Sequence, residues 1–346
     1  MELSQKIRKN IKEKFKKRKK IFGGWISFED PSIAELFSTI NFDFIAIDME
    51  HSTISNNLAK NIITSCNSKG KPCFPRPVST SDEILKPLLD SGADGIIAPR
   101  ISFNEDVSKL INNVKYPKKG QRSFGINRAQ SYGLNEKNYF KHWNDTSTCI
   151  IQIETTEGVN NLNELLENKD IDGVMIGPYD LSGSLGVPGD LNNKKVLDAS
   201  RHILDICKKR KVSCGTQLSK FNLNDIKKNF SKGFNFIILG SDLFALKKIA
   251  KKKKIKLIED AAQSLGAKIK TSMVGSISDA TCFSFFPGKN LGAYGDGGAV
   301  VTNNKKIYKK ILKLRTHGAI KKFKHEIVGI NSRLHSMQAV VLNHKL

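Results

Sequence analysis

Five polar residues between positions 48 and 180 are of the types that carry acid–base and metal chemistry. Asp48, His51 and Arg76 come first, and Glu154 and Asp180 follow, each at or just after an apolar run. Two carboxylates can hold a divalent cation through oxygen ligands, and such a cation stabilises the enolate of a 2-oxo acid as a Lewis acid. A histidine suits proton transfer near neutral pH, and an arginine suits an oxyanion or a carboxylate. The set predicts a metal-assisted lyase site, with Asp48 placed to orient His51.

Each of these residues taken alone has a simpler explanation. A polar residue after a strand often caps the next helix, and Asp180 fits that role. Four such residues after four different apolar runs are harder to explain as caps, which favours the functional interpretation.

The elements that must position these residues form a regular series. Short apolar runs, mostly continuous as in parallel strands buried on both faces, alternate with segments of helical spacing. The runs are 22–26, 44–48, 73–77, 95–100, 149–154, 173–177, 212–217 and 234–240, and helices are predicted, for example, at 32–39, 57–68, 81–91 and 197–210. This series predicts an α/β fold, a (β/α)8 TIM barrel, whose functional residues collect at the C-terminal ends of the strands. An open doubly wound sheet is the alternative, but no glycine-rich nucleotide loop follows the first strand.

The chain changes character near residue 247. Residues 246–254 are rich in lysine and predict a helix end or a linker. Beyond them, strands are expected at 255–259, 280–285 and 298–302, with a helix at 305–316. The predicted organisation is a basic lead-in helix at 1–20, a barrel at 21–247 and a partial α/β segment at 248–346.

The last segment carries a second chemical set. Pyridoxal phosphate (PLP) needs a lysine for its Schiff base, a carboxylate for its pyridine nitrogen and donors for its phosphate. Lys289, Asp260 and Ser284 supply one of each, and Gln263 could contact the ring hydroxyl. Lys289 alone is a weak signal in a chain this rich in lysine.

Composition limits the classes of function. The 346-residue chain is 39% hydrophobic and 26% charged, which is typical of a globular protein, and no apolar run has the length of a membrane span. Its formal net charge of +24 would attract anions. Because lysine is spread evenly and no nucleic-acid-binding motif is found, neither a nucleic acid nor a membrane is expected as a partner.

The N-terminus and the cysteines add two further expectations. Ile7, Ile11 and Phe15 fall at helical spacing among basic residues, which predicts a solvated amphipathic helix; an arm for anionic surfaces or nucleic acid is the alternative. The six cysteines include no Cys-x-x-Cys pair, which indicates small buried side chains in a reduced, cytoplasmic compartment.

Several segments resemble the HpcH/HpaI-type class II pyruvate aldolases over roughly residues 21–247. They are Phe42-Asp-Phe-Ile-Ala-Ile-Asp-Met-Glu-His51, Leu89-Asp-Ser-Gly-Ala-Asp-Gly-Ile-Ile-Ala-Pro-Arg100, Gly120-Gln-Arg-Ser-Phe-Gly125, Ile151-Gln-Ile-Glu154 and Asp172-Gly-Val-Met-Ile-Gly-Pro-Tyr-Asp-Leu-Ser182. The resemblance implies a (β/α)8 barrel that forms or cleaves a carbon–carbon bond between pyruvate and an aldehyde.

The same resemblance implies a role for each matching residue. Glu154 and Asp180 would bind Mg²⁺ or Mn²⁺, His51 would be the acid/base with support from Asp48, and Arg76 would stabilise the enolate. The substrate-binding set would be Gln152 and the turn of Gly177, Pro178 and Tyr179, whose backbone amides, with that of Asp180, would receive the pyruvate carboxylate. Homo-oligomers are expected.

Residues from about 253 to 346 resemble the DegT/DnrJ-type sugar aminotransferases. The matching segments are Ile258-Glu-Asp-Ala-Ala-Gln-Ser-Leu-Gly-Ala267, Phe283-Ser-Phe-Phe-Pro-Gly-Lys-Asn-Leu-Gly292, Gly295-Asp-Gly-Gly-Ala-Val-Val-Thr302 and Gly329-Ile-Asn-Ser-Arg-Leu334. This resemblance implies a PLP site in which Asn331 serves the phosphate of a neighbouring subunit's cofactor. The first phosphate-binding loop and the C-terminal small domain of that family have no counterpart here, so we expect a truncated segment that binds the cofactor poorly.

The sequence therefore predicts a divalent-metal pyruvate aldolase acting on a 2-oxo acid and an aldehyde, joined to an aminotransferase-like segment. Two alternatives stay open. One is a PLP-dependent sugar aminotransferase in which the barrel is passive, and the other is a non-catalytic fusion product.

Overall fold

The computed structural model describes residues 3–218, 222–252, 256–269, 272–276, 278–321 and 323–346. The chain forms two compact units, Met1–Leu246 and Lys247–Leu346. The end of the predicted linker at 246–254 and the first residue of the strand predicted at 255–259 lie outside the described residues.

Eight parallel strands form the sheet of the first unit. They are β1 (Ile21–Ile26), β2 (Phe44–Asp48), β3 (Cys73–Arg76), β4 (Gly95–Ala98), β5 (Thr148–Ile153), β6 (Gly173–Ile176), β7 (Ser213–Leu218) and β8 (Phe236–Leu239). Their order is β3-β2-β1-β8-β7-β6-β5-β4, and Asp94 N donates to Cys73 O (2.9 Å) where β3 and β4 meet. The barrel is thus nearly closed, which confirms the predicted (β/α)8 fold over the open sheet.

Helices precede and follow the strands of the barrel along the chain. They are α1 (Leu3–Lys16), α2 (Pro31–Thr39), α3 (Asn56–Ser68), α4 (Asp82–Asp90), α5 (Asn104–Val114), α6 (Glu136–Thr146), α7 (Thr156–Leu165), α8 (Pro178–Ser184), α9 (Lys194–Arg210), α10 (Leu223–Ser231) and α11 (Asp242–Lys252), with a 3-10 helix at Arg128–Gly133. Side-chain caps fix where several of them begin. Asp30 accepts from Ser32 N at the start of α2, and Thr155 accepts from Gly158 N at the start of α7. These caps set the short turns between strand and helix.

Helix α1 closes the N-terminal end of the barrel. Phe15 is fully buried among the rings of Phe44, Phe74 and Phe236, whose centroids lie 6.0, 6.4 and 5.2 Å away. Lys12 Nζ donates to Asp172 Oδ2 and to Ser147 O, both at 2.6 Å, at the starts of β6 and β5. The helix forms as predicted, but the expectation of a solvated helix is wrong for its inner face, which enters the barrel core.

The second unit contains a three-stranded sheet. Its elements are β9 (Ile258–Asp260), β10 (Lys268–Ile269), β11 (Ser272–Met273), β12 (Ala280–Ser284), β13 (Gly298–Val301), α12 (Lys305–Leu314), β14 (Ala319–Lys321), β15 (Lys324–His325) and α13 (Ser336–Lys345). Strand β12 pairs in parallel with β9 and antiparallel with β13, and β10–β11 and β14–β15 form two small hairpins. The predicted strands at 280–285 and 298–302 and the helix at 305–316 are all present.

The sequence predicts buried, reduced cysteines, and it contains no apolar run with the length of a membrane span. All six cysteines are free, and five are buried, while Cys282 is partly exposed. No helix in the described part of the chain has the length and apolar character needed to cross a membrane.

Candidate active site

The turn after β2 is organised by Asp48. Its Oδ1 accepts the backbone N–H groups of Glu50 (3.2 Å) and His51 (3.1 Å), and Ser52 Oγ donates back to the backbone carbonyl of Asp48. Asp48 is buried, whereas the side chain of His51 is 46% exposed. Among the described residues, the charged partner of the His51 ring is Glu50, with 3.8 Å between Nε2 and Oε2. Asp48 thus shapes the turn that presents His51, while a different carboxylate meets the imidazole.

Arg76 ends β3, and its guanidinium contacts the side chains of Asp48, Glu50 and Gln152. Its Nη2 donates to Asp48 Oδ1 at 2.8 Å, and its Nη1 lies 3.2 Å from Glu50 Oε2. Nη1 also donates to Gln152 Oε1 at 3.5 Å. The guanidinium lies over the ring of Trp25, 4.7 Å from its centroid. Two carboxylates and an aromatic face therefore fix the plane of this buried cation.

Glu154 follows β5 and lies on the floor of the site. It is buried, and its Oε1 accepts from Gln152 Nε2 while its Oε2 accepts from Arg100 N (3.2 Å). Arg100 has a positive φ of 52°, a left-handed conformation that is uncommon for a residue with a side chain. The side chain of Gln152 therefore links Arg76 to Glu154.

The turn after β6 lies beside Glu154, since β6 pairs with β5. Gly177 is buried, Pro178 begins α8, and Tyr179 and Asp180 are exposed in its first turn. Gly177 N donates to Ile153 O (3.1 Å), so this amide is engaged in the barrel and is not available to a substrate carboxylate. A β-carbon on Gly177 would lie 2.5 Å from Glu154 Oε1, which explains why glycine is needed at this point.

Three carboxylates in this region influence one another. Burial, together with the charges of Glu50 and Asp180, raises the pKa of Glu154 to about 7, while the charge of Arg76 opposes this rise. Burial also raises the pKa of Glu50, against the attraction of Arg76 and His51. Clustered like charges of this kind favour either protonation or a cation.

The donor set fits a hard divalent cation. Glu154 and Asp180 offer oxygen ligands, whereas Glu50 Oε2 is paired with Arg76 Nη1 at 3.2 Å. In the described ranges no group of three or more His, Cys, Asp or Glu side chains is arranged around one metal position. A cation here would rest on two carboxylates and take further ligands from water and substrate, as Mg²⁺ commonly does.

The residues predicted to bind PLP are exposed or only half-buried. Asp260 ends β9 opposite Cys282 of β12 and is exposed, and Ser284 lies two residues further along β12. Lys289 is half-buried, with its backbone N–H bonded to Phe286 O (2.9 Å). Gln263 and Asn331 are exposed. The end of the β9–β12 pair thus brings Asp260 and Ser284 to one edge, but it does not enclose them.

Glu50 and Arg100 are site residues that the sequence did not single out. The Asp-Met-Glu-His segment placed Glu50 between two predicted residues, which was the available signal, but the direction of its side chain depends on Arg76, 26 positions later. Arg100 acts through a backbone conformation that its residue type does not predict. A separate cavity of about 390 Å³ beside α1, lined by Arg8, Asp94 and Arg128 among others, contains none of the site residues.

Each part of the chain matches the model of a known family. Residues 22–248 match the model of the HpcH/HpaI aldolase/citrate lyase family, and residues 239–346 match the DegT/DnrJ/EryC1/StrS aminotransferase family.

Individual proteins of known name are also similar to the barrel in sequence or in fold. A 2-keto-3-deoxy-L-rhamnonate aldolase of Salmonella typhi is 30% identical over 237 residues, 67% of this chain and 86% of its own. The aldolase of the same name from Escherichia coli (strain K12) is 32% identical over 189 residues, 54% of this chain and 70% of its own. A crystal structure of an HpcH/HpaI aldolase/citrate lyase family protein from Burkholderia cenocepacia J2315 has a TM-score of 0.67 at 22% identity and covers 71% of this chain and 97% of its own, which supports the fold.

Proposed function

Because the chain belongs to the HpcH/HpaI aldolase/citrate lyase family and is a lyase of the aldolase type, we propose that its barrel site joins and separates a pyruvate enolate and an aldehyde with the help of a divalent cation. One observation carries the proposal. Three carboxylates, Glu50, Glu154 and Asp180, share an electrostatic cluster with Arg76 at the C-terminal ends of the barrel strands.

Glu154 and Asp180 would hold Mg²⁺ or Mn²⁺, one carboxylate from the buried floor and the other from the exposed rim. When bound, the cation supplies Lewis-acid stabilisation of negative charge on the 2-oxo acid. Gln152 and the amide of Arg100 keep the Glu154 carboxylate in one orientation, since each donates to a different oxygen.

The remaining steps belong to side chains of this chain. In the cleavage direction His51, at the open rim, accepts the proton of the substrate hydroxyl as the carbon–carbon bond breaks. The bonding electrons pass to the 2-oxo acid fragment, and the resulting enolate takes up one proton at its terminal carbon to give pyruvate, which returns the proton held by His51 and restores the neutral imidazole. Arg76 donates a hydrogen bond towards the enolate oxygen, and its fixed plane limits the reorganisation required.

For the substrate, we propose a 2-keto-3-deoxy sugar acid. The basis is the name carried by the relatives from Escherichia coli and Salmonella typhi. Such a compound contains the 2-oxo acid and the hydroxyl-bearing carbon that the reaction needs, and its cleavage gives pyruvate and a hydroxyaldehyde.

A pyruvate-release assay with 2-keto-3-deoxy-L-rhamnonate tests this function. We expect cleavage by the wild-type protein with Mg²⁺, loss of activity with EDTA and recovery when Mg²⁺ is restored. Glu154→Gln should be inactive under all three conditions, while Glu157→Gln, which changes an exposed residue of α7, should behave like the wild type. Equal activity of the wild type and Glu154→Gln, with and without EDTA, would refute the metal assignment.

A second function, PLP-dependent amino transfer, is suggested by the match of residues 239–346 to an aminotransferase family. In this chain alone, the residues of the second unit do not fit PLP. Asp260 is exposed, and an exposed carboxylate does not hold a proton on a buried ring nitrogen. We therefore assign no reaction step to this unit.

A further inference from the structure

The cavity of about 390 Å³ beside α1 lies at the N-terminal ends of β3 and β4. Lys71 and Asp94, two of the residues that line it, come just before these strands, whereas Arg76 of the candidate active site ends β3. The cavity has the size of a small-molecule site, for which about 300–1,000 Å³ is usual. A molecule held here would not compete with a substrate at the opposite end of the barrel.

Arg8 of α1 lines this cavity and lacks partners for its guanidinium. The residue is only 6% exposed, yet among the described residues its Nε has no hydrogen-bond partner. Its Nη1 lies 3.6 Å from Asp94 Oδ1, which is beyond the length of a direct hydrogen bond. Because a buried charged donor without an acceptor is costly, an anionic oxygen in the cavity would relieve the guanidinium.

Two aromatic rings hold the Arg8 guanidinium in place. Its Cζ lies 5.3 Å from the ring centroid of Tyr139 and 5.8 Å from that of Trp143, and both rings are buried. These contacts fix the guanidinium before a ligand arrives, so little side-chain freedom is lost on binding.

Two more cations line the cavity, and both are half-buried. Arg128 Nη1 donates to Asn67 Oδ1 (2.8 Å) and to Ser91 O (2.7 Å), while Lys71 Nζ donates to Phe42 O (2.7 Å). These bonds fix the position of each cation. They use only part of its capacity, since a guanidinium has five N–H donors and an ammonium has three.

Asp94 is the one acidic residue in the lining that the structure describes. Its Oδ2 accepts from Asn67 Nδ2 and from Cys73 N, both at 3.0 Å, so this carboxylate is tied to the barrel. Burial also raises the pKa of Asp94, which weakens its hold on a negative charge. Three basic side chains and one carboxylate leave the lining with a formal charge of +2.

We propose that this cavity is a second binding site, which takes a small organic dianion, either a phosphate monoester or a dicarboxylate. The charged group of the ligand meets Arg8, and its body lies against the apolar wall of Ile7, Ala129 and the Tyr139 ring. The lining charge of +2 matches a dianion. The site is independent of the proposed aldolase reaction, because the two lie at opposite ends of β3.

Calorimetric titration in the presence of EDTA tests this site. EDTA keeps divalent cations away from Glu154 and Asp180, so metal-mediated binding at the candidate active site does not contribute. The probes are glucose 6-phosphate for the phosphate monoesters, malate for the dicarboxylates and glucose as the uncharged control. We expect one or both dianions to bind the wild type at one site per chain, and glucose not to bind.

Matched variants show whether the ligand lies in the cavity. Arg8→Gln should weaken binding about tenfold or more, because a hydrogen bond to a charged group is lost. Lys71→Gln should weaken it about threefold or more. Lys141→Gln removes the same charge from an exposed position on α6 and should change Kd by less than about twofold. This control is needed because a chain with a net charge of +24 attracts every anion.

The outcomes decide between a built site and a structural arginine, since polar residues at the N-terminal end of such barrels often serve stability. Binding of either dianion that Arg8→Gln weakens and Lys141→Gln does not supports the site, and the preferred probe identifies the charged group. Binding of neither dianion to the wild type, or equal weakening in Arg8→Gln and Lys141→Gln, overturns the proposal. If Arg8→Gln does not fold, Lys71→Gln decides by the same comparison with Lys141→Gln.

Discussion

Gly177 offers the sharpest test of how the site is positioned. A β-carbon at this residue would lie 2.5 Å from Glu154 Oε1, 2.6 Å from Glu154 Cγ and 2.9 Å from Gln152 Nε2. Comfortable contacts of such atoms are about 3.5–4.0 Å, so Gly177→Ala requires Glu154 to move by about 1 Å. The backbone itself tolerates alanine, since φ is −96°. The strain therefore falls on the carboxylate that we assign to the metal.

The expected result follows from that displacement. A misplacement of about 1 Å costs about 100-fold in rate, whereas overpacking costs about 1–3 kcal/mol in stability. Gly177→Ala should thus lose about 100-fold in kcat/KM and bind Mg²⁺ more weakly, while still unfolding cooperatively. Pyruvate release, calorimetric titration of Mg²⁺ and urea unfolding measure the three quantities.

The same helix supplies the control. Gly183 in α8 has nothing within 4 Å of an added β-carbon, and alanine is favoured over glycine in a helix by about 1 kcal/mol. Gly183→Ala should therefore be as active as the wild type and slightly more stable. If Gly177→Ala keeps its activity and Mg²⁺ affinity within about threefold, the position of Glu154 does not control the chemistry and the metal assignment is wrong.

Three further predictions concern other parts of the molecule. Lys12→Met removes one partner of the buried Lys12–Asp172 pair (2.6 Å) and should lower the free energy of unfolding by about 3–5 kcal/mol, while Lys17→Met, at an exposed pair, should change it by less than about 1 kcal/mol in urea unfolding. Arg76→Lys cannot bridge Asp48 and Glu50 with a planar guanidinium and should lose about 10²-fold or more in kcat; activity within about threefold would contradict the enolate role. PLP added to the wild type and to Lys289→Ala should give the same absorbance spectrum, because Asp260 is solvent-exposed; a Schiff-base band present only in the wild type would show that this unit binds the cofactor.

The barrel could be predicted from the sequence because its strands leave a strong local signal. Residues 44–48 and 173–177 are continuous apolar runs, and the structure places β2 (Phe44–Asp48) and β6 (Gly173–Ile176) there. A strand buried on both faces has no polar positions to alternate with. The place of the candidate site residues in the barrel could be predicted for the same reason, since Asp48, Arg76 and Glu154 lie at or directly after the ends of such runs.

The burial of the basic residues of α1 could not be predicted from the helix's own sequence. Lys12 and Arg8 look like parts of a solvated charged face, and their partners Asp172 and Asp94 come from turns 160 and 86 positions away. The sequence of residues 1–20 predicts a helix, but only the closed barrel provides the buried carboxylates that pair with its basic side chains. The same limit applies to Glu50, whose direction is set by Arg76 from another strand.

Burial separates two carboxylates that the sequence presents in the same way. Glu154 and Asp260 both come at or just after a strand, and both belong to segments that resemble a catalytic family. Glu154 is 2% exposed, accepts two hydrogen bonds and has its pKa raised to about 7, so its charge state can respond to a cation or a substrate. Asp260 is exposed and accepts one backbone bond, from Ala262 N (3.1 Å), which leaves water as its main partner. A motif fixes which group is present, but the low-dielectric surroundings decide whether that group can do chemistry, and in this chain those surroundings exist at the barrel mouth.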